Sequence, residues 1–112
     1  MIQFPLRTGS GLNGREHHMQ RSRRVKRERL STAWMLATVL QRPALPCVVT
    51  LTRLGPSNGL DDDNLAGALK GVRDEVARWI GVDDRDRKTV RYQYEQQRAK
   101  TWAVRIEFGG AA

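Results

Sequence analysis

The run Leu60-Asp61-Asp62-Asp63-Asn64-Leu65 places three consecutive carboxylates ahead of a helical pattern, and Gly81-Val82-Asp83-Asp84 follows that pattern. Crowded carboxylates repel by about 1–4 kcal/mol per close pair, depending on local screening. In a chain of formal net charge +8, gathering them in two places is costly, and one use for the cost is to hold a cation. Mg²⁺ suits these residue types, because it takes a few hard oxygen ligands and keeps several of its waters. A pair of such ions about 4 Å apart activates a water and stabilises the leaving oxyanion in phosphodiester cleavage. A nearby lysine would help neutralise the scissile phosphate. A plainer reading fits the same spacing: aspartate caps helices, and Asp83-Asp84 reads equally as a solvated turn. Calcium binding of the EF-hand kind is disfavoured, since the loop lacks the required glycine and the closing glutamate.

The element that must position these acids is the helix between them. At about 100° per residue, Asp63, Lys70 and Asp74 share one face, with Gly67 on the same side. Leu65, Ala68, Leu69, Val72, Val76, Trp79 and Ile80 form the opposite, apolar face. Gly67 costs about 1 kcal/mol of helix propensity relative to alanine, and a close backbone approach, such as a phosphodiester strand, is one use for it. Asp62 or Asp63 is expected to cap the helix and Gly81 to end it.

The remaining elements follow from periodicity. Ile2, Phe4 and Leu6 alternate with polar or proline positions, as in a short edge strand. Arg15 to Gln41 carries no glycine or proline and reads as helical, with Leu30, Ala33, Trp34, Ala37 and Leu40 as its buried stripe. Ser31 offers a point at which that segment could divide. Pro43 and Pro46 are expected to stop it. Cys47 to Arg53 is β-branched and reads as a central strand. Val90 to Tyr94 and Trp102 to Phe108 alternate in period two, most simply as a hairpin joined around Gln96 to Lys100. The order β-α-β-α-β-β implies one α+β domain over residues 1–112, with helices packed on a mixed sheet. Trp34 and Trp79 are expected in the core, and Trp102 in the core or a subunit interface.

At 112 residues the chain holds one modest core, and its 39% hydrophobic content leaves room for a face covered by a second subunit. The positive balance favours a polyanionic partner, although repressors and ribosomal proteins share it. A single cysteine, Cys47, excludes an internal disulfide and a thiolate zinc cluster. The amino terminus does not read as a signal peptide and no stretch suits a membrane span, so the expected location is cytoplasmic, in a bacterial or phage-infected cell. Arg15, Arg21, Arg23, Arg24, Lys26 and Arg27 open the first helix with few acids between them, and backbone contact with DNA is the reading we favour over a solvated face. Arg85, Arg87, Lys88 and Arg91 could extend that surface. His17 and His18 read as solvent-exposed residues of this basic segment.

Asp61-x-Asp63-Asn64, the helix with its lysine and aspartate, and Asp83-Asp84 together resemble the RusA family of Holliday-junction resolvases. Leu12-Asn13-Gly14-Arg15-Glu16-His17-His18 ahead of a basic helix adds to the resemblance. It implies a small dimeric, Mg²⁺-dependent endodeoxyribonuclease of the phage and prophage type, with Mn²⁺ as an alternative ion. Position by position, it implies Asp61, Asp63 and Asp84 as catalytic, metal-holding acids, with Asp83 the alternative to Asp84. The family's lysine normally follows the second acid by four residues, where this chain has Gly67; Lys70, further along the same face, is the substitute. His18 stands where many members carry an aromatic residue. The expected function is therefore a homodimeric nuclease that resolves Holliday junctions or related branched DNA in recombination and repair. The competing expectations are a non-catalytic basic DNA-binding protein, such as a phage regulator, and a family member that has lost activity.

Overall fold

β-Branched and alternating segments supply four strands, and the two helical stretches expected from the sequence supply three helices. The computed structural model describes residues 1–9, 18–83 and 85–110. In chain order these are β1 (Ile2–Phe4), α1 (His18–Leu36), β2 (Cys47–Gly55), α2 (Asp62–Ala68), α3 (Lys70–Ile80), β3 (Val90–Arg98) and β4 (Ala103–Gly110). The strands form one mixed sheet in the order β1-β4-β2-β3. β1 is an edge strand, as the proline after it requires.

β2 pairs parallel with β3 and antiparallel with β4, so the expected β3–β4 hairpin does not form. The two strands are consecutive in the chain yet lie on opposite sides of β2. Hydrophobic content explains the choice: Cys47, Val49 and Leu51 of β2 are all buried and claim the centre, whereas β3 ends in Gln-Gln-Arg and suits an edge. The connection must then cross the end of β2. Ala99 N–H donates to the Gly55 carbonyl at 3.0 Å, and Trp102 lies so close to Gly55 that an added Cβ would meet its ring at 2.2 Å. Glycine is required there to let the crossing chain approach.

Residues of alternate parity share a face. Val49 and Leu51 of β2, with Val90, Val104, Ile106 and Phe4, join Leu36, Leu65, Leu69, Val72 and Val76 of the helices in one core. The apolar face expected of the acidic helix is therefore the one that is buried, with Trp79 and Ile80 partly so. That helix is divided at Leu69 into α2 and α3 rather than continuous, although Arg73 N–H still reaches the Leu69 carbonyl at 2.9 Å. Gly81 ends it in the left-handed conformation, with φ of 85°.

α1 departs most from expectation. Leu30, Trp34 and Leu40 are exposed, Trp34 by 71%, and the buried residues of the helix are Glu28, Thr32 and Leu36. The helix also stops at Leu36, before the prolines. Two polar groups are tolerated inside because they are paired. Arg24 binds the Glu28 carboxylate, and the Thr32 hydroxyl donates to the Glu28 carbonyl at 2.7 Å. Glu75 of α3 is likewise buried, accepting from Arg78 Nε at 3.0 Å with Arg29 at 3.6 Å. The hydrogen bond from Arg78 holds Glu75 below the usual carboxylate range, against the upward push of burial.

Candidate active site

Local chemistry fixes the start of α2. Asp61, rather than Asp62 or Asp63, is the cap: its Oδ1 accepts from Asn64 N–H at 2.9 Å and its carbonyl from Leu65 N–H at 2.8 Å. Asp62 and Asp63 lie in the first turn, exposed to solvent. The Asp63 side chain makes no hydrogen bond or ion pair with any described residue. The turn is pinned from outside by Gln96 of β3. Gln96 Nε2 donates to the Leu60 carbonyl at 2.7 Å, and Leu60 N–H donates to Gln96 Oε1 at 2.8 Å. One amide side chain thus mimics a strand neighbour and fixes the residue immediately before Asp61.

Lys70 begins α3, about 10 Å along the helical path from Asp63. Its Nζ lies 3.0 Å from Asp74 Oδ2, so the shared face expected of Lys70 and Asp74 is an ion pair; Arg73 adds a contact to Asp74 at 3.5 Å. Lys70, Asp74, Arg78 and Asp83 line one groove along α3. Asp83 is exposed beyond Gly81, and its Oδ1 accepts from Arg85 N–H at 2.9 Å. Asp84 and Arg15, together with Asn13 and His17, lie outside the described residues.

Asp61 and Asp83 therefore flank opposite ends of the α2–α3 segment. α2 and α3, with 7 and 11 residues joined at Leu69, give a helical path of roughly 28 Å from Asp62 to Ile80. The sheet gives the same answer, since Leu60 is fixed to Gln96 whereas the chain after Asp83 enters β3 at Val90, about 20 Å along that strand. Among the described residues no three His, Cys, Asp or Glu side chains converge in one chain. Asp61 and Asp63 share only the start of α2, and Lys70 and Asp83 line a second groove.

Of the expected DNA-facing cations, Arg21, Arg23, Lys26 and Arg27 are exposed on α1. Arg24 is drawn inward to Glu28, with 21% of its side chain exposed, and so carries a structural task. Arg85, Arg87, Lys88 and Arg91 are exposed near Asp83. Asp86 closes that turn, its acidity increased by hydrogen bonds from the Thr89 hydroxyl and the Thr89 and Lys88 amides.

Compared with protein-family models, with curated proteins and with solved structures, the chain matches none.

Proposed function

We propose that this protein is a Mg²⁺-dependent endonuclease acting on branched DNA as a homodimer. The observation that carries the reading is the acidic turn itself. Asp63 presents a carboxylate that no described side chain occupies, in the first turn of α2 whose cap Asp61 follows a residue, Leu60, clamped at both its backbone polar atoms. A solvent-facing carboxylate at Asp63 next to the capping carboxylate of Asp61, within a chain of net charge +8, suits a cation site for phosphodiester chemistry. The resemblance to RusA resolvases points to the same residues, with Asp84 as the third acid and Mn²⁺ an alternative ion.

The separation of the clusters gives the dimer a chemical reason. In this reading Asp61 and Asp63 of one chain would be joined by Asp84 of a second copy, since Asp83, the described acid beyond Gly81, lies past the far end of α3 from Asp61. When bound there, Mg²⁺ would supply an activated water and neutralise charge on the cleaved phosphate. The protein's own contribution is to keep Asp61 and Asp63 fixed through the cap and the Gln96 clamp, and to draw the polyanion with Arg21, Arg23, Lys26 and Arg27. Leu30 and Trp34, apolar and exposed on α1, supply surface of the kind that a second subunit covers.

The alternative is a non-catalytic DNA-binding protein, favoured by two observations: Asp61 already has a structural task as a cap, and Lys70 is paired with Asp74. A synthetic four-way junction separates the two. The nuclease cuts it only with Mg²⁺ or Mn²⁺, and Asp63→Asn stops cutting while binding is retained. Mg²⁺-independent binding with no cleavage at enzyme excess contradicts the nuclease reading.

A further inference from the structure

A second polar site lies at the end of β2, beside the acidic turn, and none of the chemistry above uses it. Arg53 shares strand parity with Val49 and Leu51 and so points to the covered face, at the end where Trp102 and the amino-terminal segment replace the helices. Only 6% of Arg53 is exposed. Its Nε donates to Thr8 Oγ1 at 3.1 Å and its Nη1 to Ser57 Oγ at 3.2 Å. Its guanidinium carbon sits 4.7 Å from the centre of the Trp102 ring, over which Arg7 also lies at 5.0 Å. No carboxylate pairs with it among the described residues, and burial, followed by the charge of Arg7, lowers its pKa.

A buried guanidinium without an anion is costly, and charged groups so placed are ordinarily paired. The space it faces is a concavity of about 260 Å³ lined by Arg53, Ser57, Asn58, Gly59, Gln96 and Arg98. No acid lines it. Arg98 is exposed and likewise has no carboxylate partner among the described residues. Two guanidiniums, the Ser57 hydroxyl and the Asn58 amide line it, donor types that recognise a phosphate. Gln96 lines this concavity and also clamps Leu60, the neighbour of Asp61.

We propose that the Arg53–Arg98 concavity is a phosphate-binding subsite that seats a backbone phosphate of the DNA strand running to the Asp61–Asp63 turn. The anion chemistry rests on this geometry alone; the identification of the phosphate as DNA rests on the proposed function. Gln96 then fixes two things at once, the acids and the seat of a neighbouring phosphate, so that strand register and acid position move together.

Two measurements on the full chain test this, using Arg53→Gln, Arg53→Lys and the exposed Arg98→Gln, which keeps the test valid if Arg53 variants fold poorly. Inorganic phosphate replacing chloride at constant ionic strength, up to tens of millimolar, should raise the melting temperature of wild type, as ligands of the folded state do. The rise should be lost in Arg98→Gln and Arg53→Gln, and reduced in Arg53→Lys, which keeps charge but not the fork. Metal-free junction binding should lose about 0.9 from its log–log salt slope in either glutamine variant, so affinity falls about threefold less over a fourfold rise in salt. An equal phosphate response in wild type and variants, or an unchanged slope, overturns the subsite. Lost slope without any cleavage leaves the subsite standing and removes the nuclease; cleavage with unchanged slope does the reverse.

Discussion

Asp61 carries two tasks that a substitution can separate. As the cap of α2 it satisfies the Asn64 amide, and as one of the exposed acids it would hold a cation. Asparagine caps about as well as aspartate but lacks the charge, whereas alanine does neither. Asp61→Asn should therefore keep stability within about 0.5 kcal/mol and abolish junction cleavage, while Asp61→Ala loses about 1 kcal/mol as well. Urea unfolding beside the cleavage assay checks both. Full cleavage by Asp61→Asn would reduce this residue to its structural role. The acidic turn stands out in the sequence as a density of carboxylates in a basic chain, but that Asp61, and not Asp62 or Asp63, is the cap does not. Nor does Gln96, since an amide that acts across 36 residues on a backbone leaves no local pattern. Arg53 did leave one: a charged residue at inward parity with Val49 and Leu51, in a strand otherwise built for the core.

Among the elements, periodicity located the strands and the acidic helix but misassigned the face of α1. It weighs apolar residues only, and here the inward positions are Glu28 and Thr32, made acceptable by pairing, while Leu30 and Trp34 face outward. The absent hairpin has a similar origin: alternation shows that β3 and β4 are strands but not that β2 lies between them. The polar α1–α3 contact yields a pH signature. Because Arg78 depresses the pKa of Glu75, the unfolded chain takes up the proton first as pH falls. The stabilisation by ionised Glu75 is thus complete above the ordinary glutamate pKa of about 4.3 and lost as pH falls through the lower folded value. Glu75→Gln should be less stable than wild type at pH ~7 by about 1–3 kcal/mol, the worth of a charged hydrogen bond, and the gap should close on acidification. Denaturant unfolding at neutral and acid pH measures it; a gap independent of pH would exclude the ion pair as its source.

At the scale of the whole molecule, the α+β fold places Asp61 and Asp83 beyond opposite ends of a helical path of roughly 28 Å. Cationic side chains lie on α1 and near Asp83. No helix among the described residues is long and apolar enough to cross a membrane. In the proposed nuclease two copies combine their acids, so that reading is tested most directly by mixing inactive chains. Asp63→Asn and Asp84→Asn should each fail to cut a four-way junction alone. Refolded together, they should form heterodimers in which one composite site is intact, and nicking of the junction should return. Mixed chains that dimerise yet remain inactive would contradict a site shared between subunits, and with it the account of how these carboxylates work.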